Sequence, residues 1–164
     1  MDKKFVLSVI VVIVAIFGLM FFSKPYQKEN LGGGSALASP FVSSEKIYDF
    51  GTISMKNGDV EKIFRVVNSA DKDINLKKVT TSCMCTKAYV FGARGEKGPF
   101  GMPGMGYVPP ANEIIKAGQS VDIKVVYDPN AHGPAGVGPI DRFVYLEDES
   151  GGVVELEIKA LVTP

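Results

Sequence analysis

The stretch VVELEIKA, residues 153–160, sets Val154, Leu156, Ile158 and Ala160 against Glu155, Glu157 and Lys159. Successive side chains on a strand point to opposite faces, so this is a strand with one apolar and one charged face. Gly151-Gly152 opens it, and Phe143 to Leu146 precede it as a further apolar run. Upstream, Val121, Ile123, Val125 and Tyr127 alternate with Asp122 and Lys124, and Ile74 to Val79 alternate again. Val60, Ile63, Phe64, Val66 and Val67 mark another strand, and Ile47, Phe50 and Ile53 another, broken at Gly51. Between these last two lies Lys56-Asn57-Gly58-Asp59, and Asn-Gly between apolar runs predicts a hairpin. No stretch beyond residue 40 keeps a 3.6-residue period over three turns. The expectation is an all-β domain, an Ig-like antiparallel β-sandwich of about seven strands.

The chain has 164 residues with 18 Lys+Arg, 18 Asp+Glu and a single His. Zero net charge offers no basic patch for nucleic acid. One imidazole excludes sites built on two or three of them, blue copper and the His-rich zinc hydrolases included. With 18 glycines and 10 prolines, the composition favours turns and strands.

Phe5 to Phe22 are 18 residues without a charge, preceded by Lys3 and Lys4. As a helix they span about 27 Å, close to a bilayer's apolar thickness. Positive charge before the block keeps that end cytoplasmic. Residues 1–22 are therefore expected to be a single transmembrane helix that anchors the chain to the cell membrane, with the C-terminal domain extracytoplasmic. A cleaved signal peptide competes, but Ala36-Leu37-Ala38, the small-x-small triplet it needs, lies far past the block. Residues 23–42 read as a flexible linker around Gly32-Gly33-Gly34, and 43–164 as the domain.

Tyr48-Asp49-Phe50-Gly51-Thr52-Ile53, Phe64-Arg65-Val66-Val67-Asn68, Thr81-Ser82-Cys83-Met84-Cys85-Thr86 and Ala117-Gly118-Gln119 follow in order, before a strand ending Tyr127-Asp128-Pro129. In this order, over Ser43 to Thr163, the chain resembles the bacterial domain-of-unknown-function family 1573. That resemblance implies a sandwich similar to the Ig-like, Hydin-type domains, and an extracytoplasmic location; it implies no activity. Met84 stands where the family usually has Gly, and residues 92–112 form a long insertion.

Chemistry has few places to reside. Cys83-x-Cys85 could be two packed thiols, a disulfide, or a soft-metal chelate, and spacing alone leaves the last two open. In an extended segment their Cα atoms would stand about 6.5–7 Å apart, at the limit for bridging, unless the segment turns. The insertion carries Met102 and Met105 within six Gly and four Pro. A second Gly/Pro window, 130–139, carries His132. All five fall in segments without strand character, and together they form a soft donor set that suits Cu(I) better than Zn²⁺. Zn²⁺ would need a carboxylate such as Asp128, or water, as a further ligand. Met84 is expected to point away from the cysteines. Glu147-Asp148-Glu149 read as a solvated hairpin tip. No catalytic triad, phosphate loop or Cys-x-x-Cys is present, so the domain reads as non-enzymatic. The alternative to metal binding is an envelope scaffold or protein-interaction module with a structural Cys pair. A thiol–disulfide exchanger is a third reading.

Overall fold

The computed structural model describes residues 39–164. The expected anchor and most of the linker lie outside the described residues, among which no helix is long and apolar enough to cross a membrane.

Among the described residues there are ten strands: β1 Phe41–Val42, β2 Ile47–Ser54, β3 Val60–Asn68, β4 Ile74–Thr81, β5 Thr86–Gly92, β6 Gly95–Phe100, β7 Glu113–Ile115, β8 Ser120–Tyr127, β9 Gly138–Asp148 and β10 Val153–Thr163. They form two five-stranded sheets, ordered β1-β3-β8-β5-β6 and β2-β10-β9-β4-β7. Their apolar faces meet as a two-layer sandwich. Val121, Ile123, Val125 and Tyr127 of β8 are buried, as are Val154, Leu156, Ile158 and Ala160 of β10. Register aligns Phe64 of β3, Ile123 of β8 and Val90 of β5 across the first sheet.

Several expectations change. The Asn57-Gly58 segment is not a hairpin. Met55–Asn57 form a 3-10 turn capped by Ser54, whose Oγ accepts the Lys56 N–H. β2 then pairs with β10, while β3 pairs with β1 and β8 in the other sheet. The turn is a crossover between sheets, held by hydrogen bonds from Ser54 Oγ to Pro164 O and Thr163 Oγ1 to Ile53 O. Second, the sandwich is not wholly antiparallel, because β2 runs parallel to β10. Third, the insertion is not structureless. It begins with β6, which pairs with β5 around Ala93-Arg94, and a Pro-containing strand is tolerated there because β6 is a sheet edge. β1 lies in the stretch read as linker, with Phe41 in the core.

Another concerns Asp148, which is buried rather than a solvated tip. Its Oδ1 accepts from Ser150 N at 2.8 Å, Ser150 Oγ at 2.5 Å and Gly152 N at 3.1 Å, closing the β9–β10 turn. Burial alone would raise its carboxyl. Hydrogen bonds from the Ser150 side chain and from the Ser150 and Gly152 N–H groups help to outweigh burial and hold it below the usual aspartate range. A depressed folded pKa makes this contribution full at neutral pH. It is lost as pH falls below the unfolded value near about 3.9 and through the folded one. Asp148→Asn is therefore expected to cost about 1–3 kcal/mol at pH 7. It should also flatten the acid limb of a stability–pH profile from urea unfolding; an unchanged acid limb would contradict the assignment.

Candidate functional site

β4 and β5 belong to different sheets, so Ser82 to Cys85 must cross between layers at one end of the sandwich. Backbone bonds fix this crossover. Ser82 N–H donates to Phe143 O at 2.9 Å, and Phe143 N–H returns a bond to Ser82 Oγ at 2.9 Å. Thr86 N–H donates to Cys83 O at 3.1 Å, making Cys83 to Thr86 a turn. Buried Thr81 sets its hydroxyl against both Cys83 O and Thr86 O. Because the segment turns, the Cys83 and Cys85 Cα atoms stand 5.2 Å apart, inside bridging range, and the two sulfurs are joined as a disulfide.

His132 arrives from the β8–β9 connection. Asp128 Oδ1 accepts the Asn130 N–H at 2.7 Å, and Asp128 N–H donates to Cys85 O at 2.9 Å, so this loop is tied to the crossover. Gly133 follows His132 with φ +55°, a backbone that a side chain would strain. His132 then places Nε2 3.2 Å from Cys83 Sγ. Cys85 N–H approaches the same sulfur at 3.3 Å. On the other side, Arg142 of β9 donates through Nε to Cys85 Sγ at 3.3 Å. Cys85 is buried, Cys83 half-buried and His132 exposed, so the site opens to solvent on the Cys83–His132 side. Tyr127 lies near the guanidinium. Burial pushes its phenol up, the Arg142 charge opposes this and the Asp128 charge adds to the rise, so the hydroxyl stays neutral.

The two sulfurs and the imidazole lie within 4.8 Å of one another. Donors that share one ion at about 2.0–2.3 Å sit roughly 3.5–4 Å apart, whereas the two bonded sulfurs stand closer than that, so the group has room for an ion only after reduction parts them. Asp128, the carboxylate expected for Zn²⁺, is not part of the group and is occupied by Asn130. Met102 and Met105 line a neighbouring hollow whose walls include neither cysteine nor His132. Met84 sits at the corner of the crossover turn. It lines that hollow and also the one beside Cys85 and Asp128.

Arg142 escaped the sequence reading, although a signal for it exists. Ile140, Val144 and Leu146 are buried at alternate positions of β9, and Arg142 occupies the inward phase between them. A charge on a core-facing register position needs partners, and here they are the Cys85 sulfur and, through Nη1, the Asp141 carbonyl at 2.8 Å.

Residues 41–99 match the model of one family. Its description is protein of unknown function, DUF1573. The match contains both cysteines but ends before His132 and Arg142. No curated protein matches the chain. Among solved structures, a protein of unknown function from Porphyromonas gingivalis superposes with a TM-score of 0.53 at 15% identity, over 81% of this chain. The chain spans about half of that protein, 51% of its length. The PapD-like domain 7 of human CEP192 gives 0.46 at 12% identity, covering 85% of this chain and 98% of that one. An apo PCuAC domain of PmoF2 gives 0.36 at 18% identity, covering 65% and 78%. The likeness to the Porphyromonas protein shows a shared fold and says nothing of chemistry.

Proposed function

We propose that the protein is a membrane-anchored, extracytoplasmic, non-enzymatic Ig-like β-sandwich that holds one Cu(I) between Cys83, Cys85 and His132 when its disulfide is reduced. The observation that supports this most is the meeting of both sulfurs and the sole imidazole within 4.8 Å, from segments 49 residues apart in sequence. A dithiol reductant breaks the Cys83–Cys85 bond with two electrons and two protons and is itself left as a disulfide. The freed thiols lose their protons on binding metal. Cu(I) favours thiolate and imidazole donors.

Charge separates the two metals. Cu(I) with two thiolates carries one net negative charge, which the Arg142 guanidinium beside Cys85 Sγ cancels. Zn²⁺ with two thiolates is neutral, so the same guanidinium stands uncompensated against it. Cu(I) is the better fit.

The closed disulfide, with Cys85 buried, favours a second reading: a structural staple in an envelope scaffold or protein-interaction module. An anaerobic Cu(I) titration of the full chain in detergent, against a competing chelator, separates the two. Reduction should tighten binding by about a hundredfold or more, and His132→Ala should reverse about tenfold of that in the reduced form alone. Equal affinity before and after reduction would favour the staple.

A further inference from the structure

We infer that Met84, Met102 and Met105 form a second, thioether-only site for a soft monovalent ion, open whether or not the disulfide is closed. The three side chains line one hollow of about 170 Å³, and they are 47%, 36% and 59% exposed. None belongs to the apolar core, so none is there to fill a gap in it. Two turns bring them together. Met102-Pro103-Gly104-Met105 closes through Met105 N–H to Met102 O at 3.3 Å, with Gly104 at φ +87°. Proline followed by a glycine at positive φ is the type II turn, and its end residues lie within about 7 Å of each other at Cα. The turn therefore holds the backbone of Met102 close to that of Met105. Met84 is the corner of the Cys83–Thr86 turn, and Thr81 N–H to Gly101 O at 3.2 Å pins the Met102 loop against that crossover.

Three uncharged thioethers match Cu(I) or Ag(I) and offer little to Zn²⁺, Mg²⁺ or Ca²⁺. The rim includes one cation, Lys87, which is exposed and free to turn to water. A thioether has no proton to lose and no oxidised partner to release. This site therefore accepts a metal in the state in which Cys83 and Cys85 are bonded and withheld. Met84 also faces the hollow beside Cys85, which places the thioether site next to the thiol site. The assignment does not depend on metal binding by the cysteines.

The test uses the full chain in detergent, disulfide closed, with [methyl-¹³C]methionine and chloride-free Ag(I) as the probe. Of the six methionines, the methyl signals of Met84, Met102 and Met105 should shift together and saturate near one equivalent. Those of Met1, Met20 and Met55 should stay. Each single Met→Leu change, which conserves volume, should weaken Ag(I) binding by about tenfold. Cys83→Ser/Cys85→Ser should leave the three shifts intact, so a failure of the thiol site and a failure of this one give different results. Overturning results are an absence of methyl shifts, or shifts that vanish in the double serine variant. Ag(I) affinity unchanged in Met84→Leu/Met102→Leu/Met105→Leu would overturn it equally.

Discussion

Ile123→Ala is expected to cost the domain about 3–4 kcal/mol, a large share of the roughly 5–15 kcal/mol that holds a domain together. Ile123 is 0% exposed at the middle of β8, with Phe64 of β3 on one side and Val90 of β5 on the other. Both neighbours are themselves held in a sheet, so the space left by the removed carbons cannot collapse. The cost is then the lost burial plus the cavity. Ile63, on β3, is 53% exposed and provides the contrast, since Ile63→Ala should change stability by less than about 0.5 kcal/mol. Urea unfolding of the two variants measures the difference. Equal losses would mean that the sandwich faces have been assigned the wrong way round.

Burial of this kind was legible wherever one face of a strand is apolar and the other charged. β8 shows that pattern from Val121 to Val125 and β10 from Val154 to Ala160, and both are placed as their alternation requires. β5 was missed because its outward face is aromatic. Tyr89 and Phe91 lie under the Lys124 ammonium at 4.7 and 5.2 Å, while the inward positions are Ala88 and Val90. Apolar residues on both faces erase the period of two. β6, with Gly98 and Pro99, has the composition of a loop and survives as a strand because it is paired on one side only. The parallel partnership of β2 with β10 is a long-range choice with no local signature.

At the site, residue types were readable and their meeting was not. Cys83, Cys85 and His132 stood out as the chain's thiols and its sole imidazole, yet only the crossover and the β8–β9 loop bring them together. The disulfide depends on a turn. An extended Cys83-x-Cys85 segment would have held the sulfurs apart and aimed Met84 away, whereas the Thr86 N–H to Cys83 O bond bends the segment and makes Met84 its corner. Met102 and Met105 were joined to the cysteines by donor chemistry alone; the fold groups them with Met84.

Cys83→Ser/Cys85→Ser should have the largest effect on metal binding, lowering the Cu(I) affinity of the reduced chain by about a thousandfold, roughly 4 kcal/mol. The thiolates supply all the negative charge and both of the softest donors in the group. Serine is a hard alcohol that stays protonated near neutral pH, so the variant retains one imidazole beside an uncompensated Arg142. The neighbouring thioethers set the floor of the remaining affinity, because they carry no charge. The most direct measurement is a competition titration with a Cu(I) chelator, run anaerobically on the reduced parent and the reduced double serine variant. A parent that takes one Cu(I) about a thousandfold more tightly than the variant is the result expected of a Cys83–Cys85–His132 centre. Superimposable curves for the two proteins would contradict it.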